Sequence, residues 1–168
     1  HGITPVLCIG EAEHLGAPAA ALANVEQLAA NLENVPAGPV IVAYEPVWAI
    51  GAAEPAPDTH IATVTRALRA AVDADPARAG SVVIYGGSAG PGLLTRLGQA
   101  VDGLFLGRFA HDPDALTAVL DEASTLAASR PHPTDDSVRP QSADETVGEP
   151  QGLGGHLSSH GAEGEVDA

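Results

Sequence analysis

The 168-residue chain is 45% hydrophobic but only 3% aromatic, so one domain with a core built from Ala, Val, Leu and Ile is within reach. Its formal net charge of −15, with seven Lys+Arg, excludes a general nucleic-acid or anionic-membrane binder, while a small phosphorylated ligand held by backbone N–H groups stays open. A single cysteine, Cys8, excludes an internal disulfide, and no apolar run reaches the ~20 residues of a membrane helix, so the expected location is cytoplasmic.

In chain order, "ITPVLCIG" (3–10) reads as a first strand, and the Ala/Leu-rich stretch from Pro18 to about Asn34 as a helix with Leu22, Val25, Leu28, Ala29 and Leu32 at helical spacing. "GPVIVAYE" (38–45) is the second strand. Asp58 to Asp73 predicts a second helix, with Asp58 as N-cap and Ile61, Val64, Leu68 and Val72 on one face. "SVVIYGG" (81–87) is the third strand, with a helical turn near Leu93–Leu97. "VDGLFLG" (101–107) is the fourth, and a last helix covers Asp112 to about Leu126.

Strands that are continuously apolar rather than alternating suit a parallel sheet flanked by helices, which predicts an α/β fold of four parallel βα units over residues 1–128. Residues 129–168 hold eight of the 22 acids among Pro, Ser and Gly, without apolar periodicity, and are expected to be a disordered acidic tail. Its histidines, His132, His156 and His160, lack close ligand partners, so no metal site is expected there or elsewhere.

The strand ends carry Gly10-Glu11, Glu45-Pro46, Gly86-Gly87-Ser88 and Gly107. In a parallel α/β fold the carboxyl ends of strands share one rim, where ligands sit. "YGGS" before a helical turn can present N–H groups to an anion. By residue type alone Cys8 reads as a small buried residue, and His14, His60 and His111 as surface or helix-end residues.

"TPVLCIGE", "AYEPVWAIG", "YGGS" and "VDGLFLG" come in the order and spacing of the second half of triosephosphate isomerase, and residues 1 to about 127 resemble that family's last four βα units. The resemblance implies the C-terminal half of a TIM (β/α)8 barrel from a divergent branch. It implies Glu45 as the base that moves a proton between adjacent carbons of a ketose and an aldose phosphate, dihydroxyacetone phosphate and glyceraldehyde 3-phosphate by default, through an enediol. Pro46, Val47 and Trp48 match the lid's N-terminal hinge, and Ala49 to Ala53 its tip. Gly51, Ser88 and Gly107 match phosphate-binding positions, Tyr85 and Ser88 the latch of the closed lid, and Cys8 and Glu11 a support layer near the base.

The sequence departs from that family at three places. Ala52-Ala53-Glu54 stands where Thr-Gly-Lys usually follows, and Arg108 where a second glycine is usual, so Arg108 either points away or brings its guanidinium to the ligand as a further phosphate-binding residue. These changes raise an alternative substrate, a tetrulose such as erythrulose phosphate. The lysine and neutral histidine of the family's N-terminal half have no match, so the chain is expected to be a fragment, inactive alone. The whole is expected to be a homodimer without cofactor. A reading of another class is a non-catalytic half-barrel that associates through its open sheet.

Overall fold

A computed structural model describes residues 2–129. Strands and helices alternate: β1 (Val6–Ile9), α1 (Ala17–Leu32), β2 (Ile41–Tyr44), α2 (Asp58–Asp73), β3 (Val82–Tyr85), α3 (Leu93–Leu97), β4 (Gly103–Leu104) and α4 (Pro113–Ser129). The sheet order is β1-β2-β3-β4, and every neighbouring pair is parallel. The register sets Cys8 beside Ala43 and Ile84, and Ile9 beside Tyr44 and Tyr85. This is the arrangement of consecutive βα units in part of a (β/α)8 barrel. The expected acidic tail lies outside the described residues, except Ser129, which closes α4.

Side chains alternate across the strands. Ile9, Val42, Tyr44, Val83 and Tyr85 turn toward the helices and are buried. Val6 and Cys8 turn the other way and are exposed. The expectation of a buried Cys8 is thereby corrected: it sits in an apolar strand, but among the described residues no helix packs over that end of the sheet's second face.

On α2 the expected face holds, with Ile61, Val64, Leu68 and Val72 all buried. Burying each such side chain fully contributes about 1.5–3 kcal/mol. On α1 the buried stripe is Ala20, Ala21, Asn24 and Leu28, whereas Leu22 is 63% exposed and does not belong to it. Small Ala residues on that stripe let α1 lie close to α2 and the sheet. Asp58 is not a cap: Pro57 precedes the helix, and the Asp58 carboxylate accepts from Arg96 Nε at 2.9 Å. The cap that does form is Asp112, whose Oδ1 accepts from Asp114 N at 3.0 Å and Ala115 N at 3.2 Å at the start of α4.

Polar side chains fix the rest. Arg78, buried, donates to the carbonyls of Val35, Pro36 and Gly38 and pins the turn before β2. Glu122 on α4 accepts from Gly92 N, Thr95 N and Thr95 Oγ1, supplying the start of α3 with the acceptor that α3's own sequence lacks. Partial burial alone would raise its carboxyl, yet these donors hold it below the ordinary range.

Candidate active site

Three strand ends converge on Glu45. Its N–H donates to the Ile9 carbonyl at 2.7 Å, which extends the β1–β2 ladder one residue past Tyr44 and places the side chain at the rim. The flanking strands both follow with glycine, and the spacing leaves no alternative. A Cβ on Gly10 would run into the Glu45 carbonyl and lie 3.0 Å from Pro46 N; a Cβ on Gly86 would lie 2.8 Å from Glu45 Cδ and closer still to its Oε1 and Cγ. The half-buried carboxylate therefore occupies the space that a Gly86 side chain would fill.

No nitrogen or hydroxyl of the described residues donates to the Glu45 carboxylate. The Cys8 thiol nearby is pushed up, first by partial burial and then by the Glu45 carboxylate. Cys8 at raised pKa is a neutral thiol beside the carboxylate. Glu45 opens onto a cavity of about 200 Å³ that Gly51, Ser88, Gly107 and Arg108 also line. All the sequence-predicted catalytic and phosphate-binding positions are thus brought together at one place. Ile50, Gly87, Ala89 and Phe105 complete the wall. Sequence reasoning passed over Phe105, whose only signal was its place two residues before Gly107 in the fourth apolar run.

The segment after Glu45 folds back over this cavity. Pro46 is buried, and Val47–Ala49 form a 3₁₀ turn. Val47 N donates to the Glu11 carbonyl at 3.0 Å, and Trp48 Nε1 to Glu11 Oε1 at 2.9 Å. At the far end Ala56 N donates to Tyr85 Oη at 3.1 Å, and that hydroxyl donates to the Gly87 carbonyl at 3.0 Å. Burial, chiefly, pushes the Tyr85 phenol up to about 12, so it stays a donor across any working pH. Ser88 holds the middle: its Oγ lies 2.7 Å from the Ala52 carbonyl and 3.1 Å from that of Ala49, so its single proton serves the nearer. Ser88 takes φ +56°, a left-handed conformation that non-glycine residues adopt at a cost, at the point where it reaches the segment after Glu45.

Behind the rim stands a second carboxylate. Glu11 is 7% exposed and accepts from Trp48 Nε1, from Asn24 Nδ2 at 2.8 Å, and from Tyr44 Oη at 3.1 and 3.2 Å. Burial alone would raise it, but these donors together hold it below the usual carboxylate range. The Tyr44 phenol is pushed well up, first by burial and then by the Glu11 charge. His60 joins them, its Nε2 3.0 Å from Tyr44 Oη and 3.2 Å from Glu11 Oε1. That overturns the expectation of a surface His60: it is 6% exposed and packs edge-on against Trp48. The signal was present, since His60, Val64 and Leu68 are four residues apart on one helical stripe. His14 also meets Trp48 edge-on, at 4.2 Å between ring centroids, while His111 stays exposed. Among the described residues no group of three or more His, Cys, Asp or Glu side chains is placed to hold a metal ion.

The family model of triosephosphate isomerase matches residues 1–123, which include all four strands and the rim they form. The chain belongs to the triosephosphate isomerase family. Among curated relatives it is 50% identical over 133 residues to an L-erythrulose-1-phosphate isomerase of Pectobacterium atrosepticum, covering 76% of this chain and 51% of that protein. It is 35% identical over 127 residues to a triosephosphate isomerase of Leifsonia xyli subsp. xyli, covering 71% and 49%. A triosephosphate isomerase of Mycolicibacterium vanbaalenii is 37% identical over 144 residues, covering 79% and 53%. The chain spans about half the length of the curated relatives it matches.

Proposed function

We propose that this chain carries the proton-transfer half of a ketose–aldose phosphate isomerase, with Glu45 as the base. The observation that carries the reading is a carboxylate left without N–H or O–H donors among the described residues, opening onto the cavity that also receives Gly51, Ser88, Gly107 and Arg108. A carboxylate already saturated with donors has no lone pair free for a C–H proton; this one has. The substrate phosphate is placed among Gly51, Ser88, Gly107 and Arg108. Glu45 takes the proton from the carbon beside the carbonyl; the C–H electron pair forms the enediol double bond as the carbonyl oxygen gains a proton; the same carboxyl then returns a proton to the former carbonyl carbon while the other enediol hydroxyl gives up its proton and becomes the new carbonyl.

The family's lysine has no counterpart in this chain, whose seven Lys+Arg residues are all Arg. In this reading the electrophile comes from the part of the barrel that the relatives possess and this chain does not span. A tetrulose 1-phosphate is the preferred substrate, supported by the 50% identity to an L-erythrulose-1-phosphate isomerase against 35% and 37% to triosephosphate isomerases. The same proton transfer on a triose phosphate is the second reading, favoured by the retained "YEPVWAIG".

The test is turnover of L-erythrulose 1-phosphate and of dihydroxyacetone phosphate by the protein purified from the cells that make it. Discrimination for the tetrulose by roughly tenfold or more in kcat/KM is expected, the scale at which one extra carbon unit is told apart in a shaped pocket. Faster triose turnover selects the second reading, and no turnover of either removes both.

A further inference from the structure

The guanidinium of Arg108 lies at the edge of the cavity, and its Nη2 donates to two carbonyls of the lid, Ala52 at 3.1 Å and Ala53 at 3.3 Å. The Ala52 carbonyl is the one that also takes the Ser88 proton, so its two lone pairs are filled by side chains from two different strand ends. The guanidinium does not hang free. Its Cζ sits 5.1 Å from the centroid of the Phe109 ring, and that ring is braced against Gly90, where a Cβ would lie 3.2 Å from Phe109 Cζ and closer to other ring atoms. The face of an aromatic ring attracts a cation and fixes its plane. Among the described residues Nε and Nη1 of Arg108 have no hydrogen-bond partner, which leaves donors for an anion in the cavity.

We propose that Arg108 is a second latch of the lid, oriented by Phe109, so that residues 51–54 are fastened from the loop after β4 as well as from Ser88. It is a positioning residue: it acts on the segment that carries the Gly51 N–H rather than on a reacting carbon. The chemistry fits the altered lid. Ala52 and Ala53 bring no side-chain hydrogen-bonding group of their own, so at these two positions only the backbone can be held, and a guanidinium with several donors suits adjacent carbonyls better than a single point charge. The proposal concerns the lid alone and does not depend on which sugar phosphate is turned over.

The test is amide hydrogen exchange across residues 49–56 in the native-length protein, comparing wild type with Arg108→Met, Arg108→Lys and Phe109→Leu, each with and without inorganic phosphate. Ala52 N and Ala56 N, bonded to the Ala49 carbonyl and Tyr85 Oη, are the reporting amides. Losing charge-assisted donors from a partly exposed site should speed their exchange by roughly fivefold in Arg108→Met. Arg108→Lys should recover part of the protection, and Phe109→Leu should fall between. Lid exchange within about twofold of wild type in Arg108→Met overturns the latch, because two hydrogen bonds to charge cannot open without a larger effect. So does an acceleration that spreads to β2 and α2, since it would make Arg108 a residue of the fold rather than of the lid. Weaker phosphate affinity in Arg108→Met with lid exchange unchanged would assign Arg108 to the anion alone, also against the latch. None of these readouts uses turnover, so failure here and failure of the isomerase reading are separate results.

Discussion

Two glutamates stand at neighbouring strand ends and differ in almost everything that decides what a carboxylate can do. Glu11, two residues past β1, is buried and accepts from Trp48, Asn24 and Tyr44 with His60 beside it. Glu45, one residue past β2, is half-buried between two glycines, takes no N–H or O–H donor from the described residues, and opens onto the cavity. Saturation makes the first a fixed acceptor that holds the Val47–Ala49 turn. Its absence leaves the second with lone pairs for a substrate. The two are coupled through the chain: Val47 and Trp48, the residues just after Glu45's Pro46, are both held by Glu11.

The sharpest way to break this contrast is to exchange the charge at each site for an amide. Glu45→Gln should lower kcat by roughly 10³-fold in the native-length protein, the middle of the range for a lost general base, with an unchanged unfolding midpoint. Turnover surviving that change would place the chemistry elsewhere. Glu11→Gln should do the reverse. Its new NH₂ faces donors, so about 2–4 kcal/mol of stability is lost, read from urea unfolding followed by Trp48 fluorescence. An unchanged midpoint would mean that the buried carboxylate is not a keystone.

The same contrast has a pH signature. The folded state holds Glu11 below its unfolded value, so it binds fewer protons than the unfolded chain, and its contribution is fully present above the unfolded value of about 4.3 and lost as the pH falls through the folded one. Unfolding midpoints should therefore drop below about pH 4 in the wild type, with a flatter profile in Glu11→Gln. Equal slopes in the two proteins would assign the acid sensitivity to other carboxylates, Glu122 first among them.

Smaller effects sharpen the geometry. Gly86→Ala should cost about 1–3 kcal/mol through overpacking and also reduce kcat, because the only way to admit the methyl is to move the Glu45 carboxylate. A purely structural Gly86 would show the first effect without the second. Tyr85→Phe, which leaves Ala56 N and the Gly87 carbonyl without their shared hydroxyl, should cost about 1 kcal/mol and loosen the lid's far end in amide exchange.

Much of this was legible before any coordinates. Continuous apolar strands between helical stripes, as in "IVAY" and Ile61/Val64/Leu68/Val72, determine a parallel sheet with helices, because period and burial are properties of sequence. Glycine directly after β1 and β3 marks the crowded part of the rim around Glu45. The sequence also put Glu45, Ser88, Gly107 and Arg108 near strand ends and, through the family resemblance, Gly51 in the segment after Glu45, but their meeting around one cavity is a property of the sheet order and register. What tertiary structure alone decided is the state of the polar groups. Cys8 is apolar by neighbourhood yet exposed, because exposure depends on what covers a sheet face and not on what flanks a residue in the chain. His60 looked like a surface histidine, since its partners Glu11, Tyr44 and Trp48 are 49, 16 and 12 positions away and the fold alone brings them together. The difference between the two glutamates has the same origin. Residue type fixes how many hydrogen bonds a carboxylate can accept, and packing between elements distant in sequence fixes how many donors arrive.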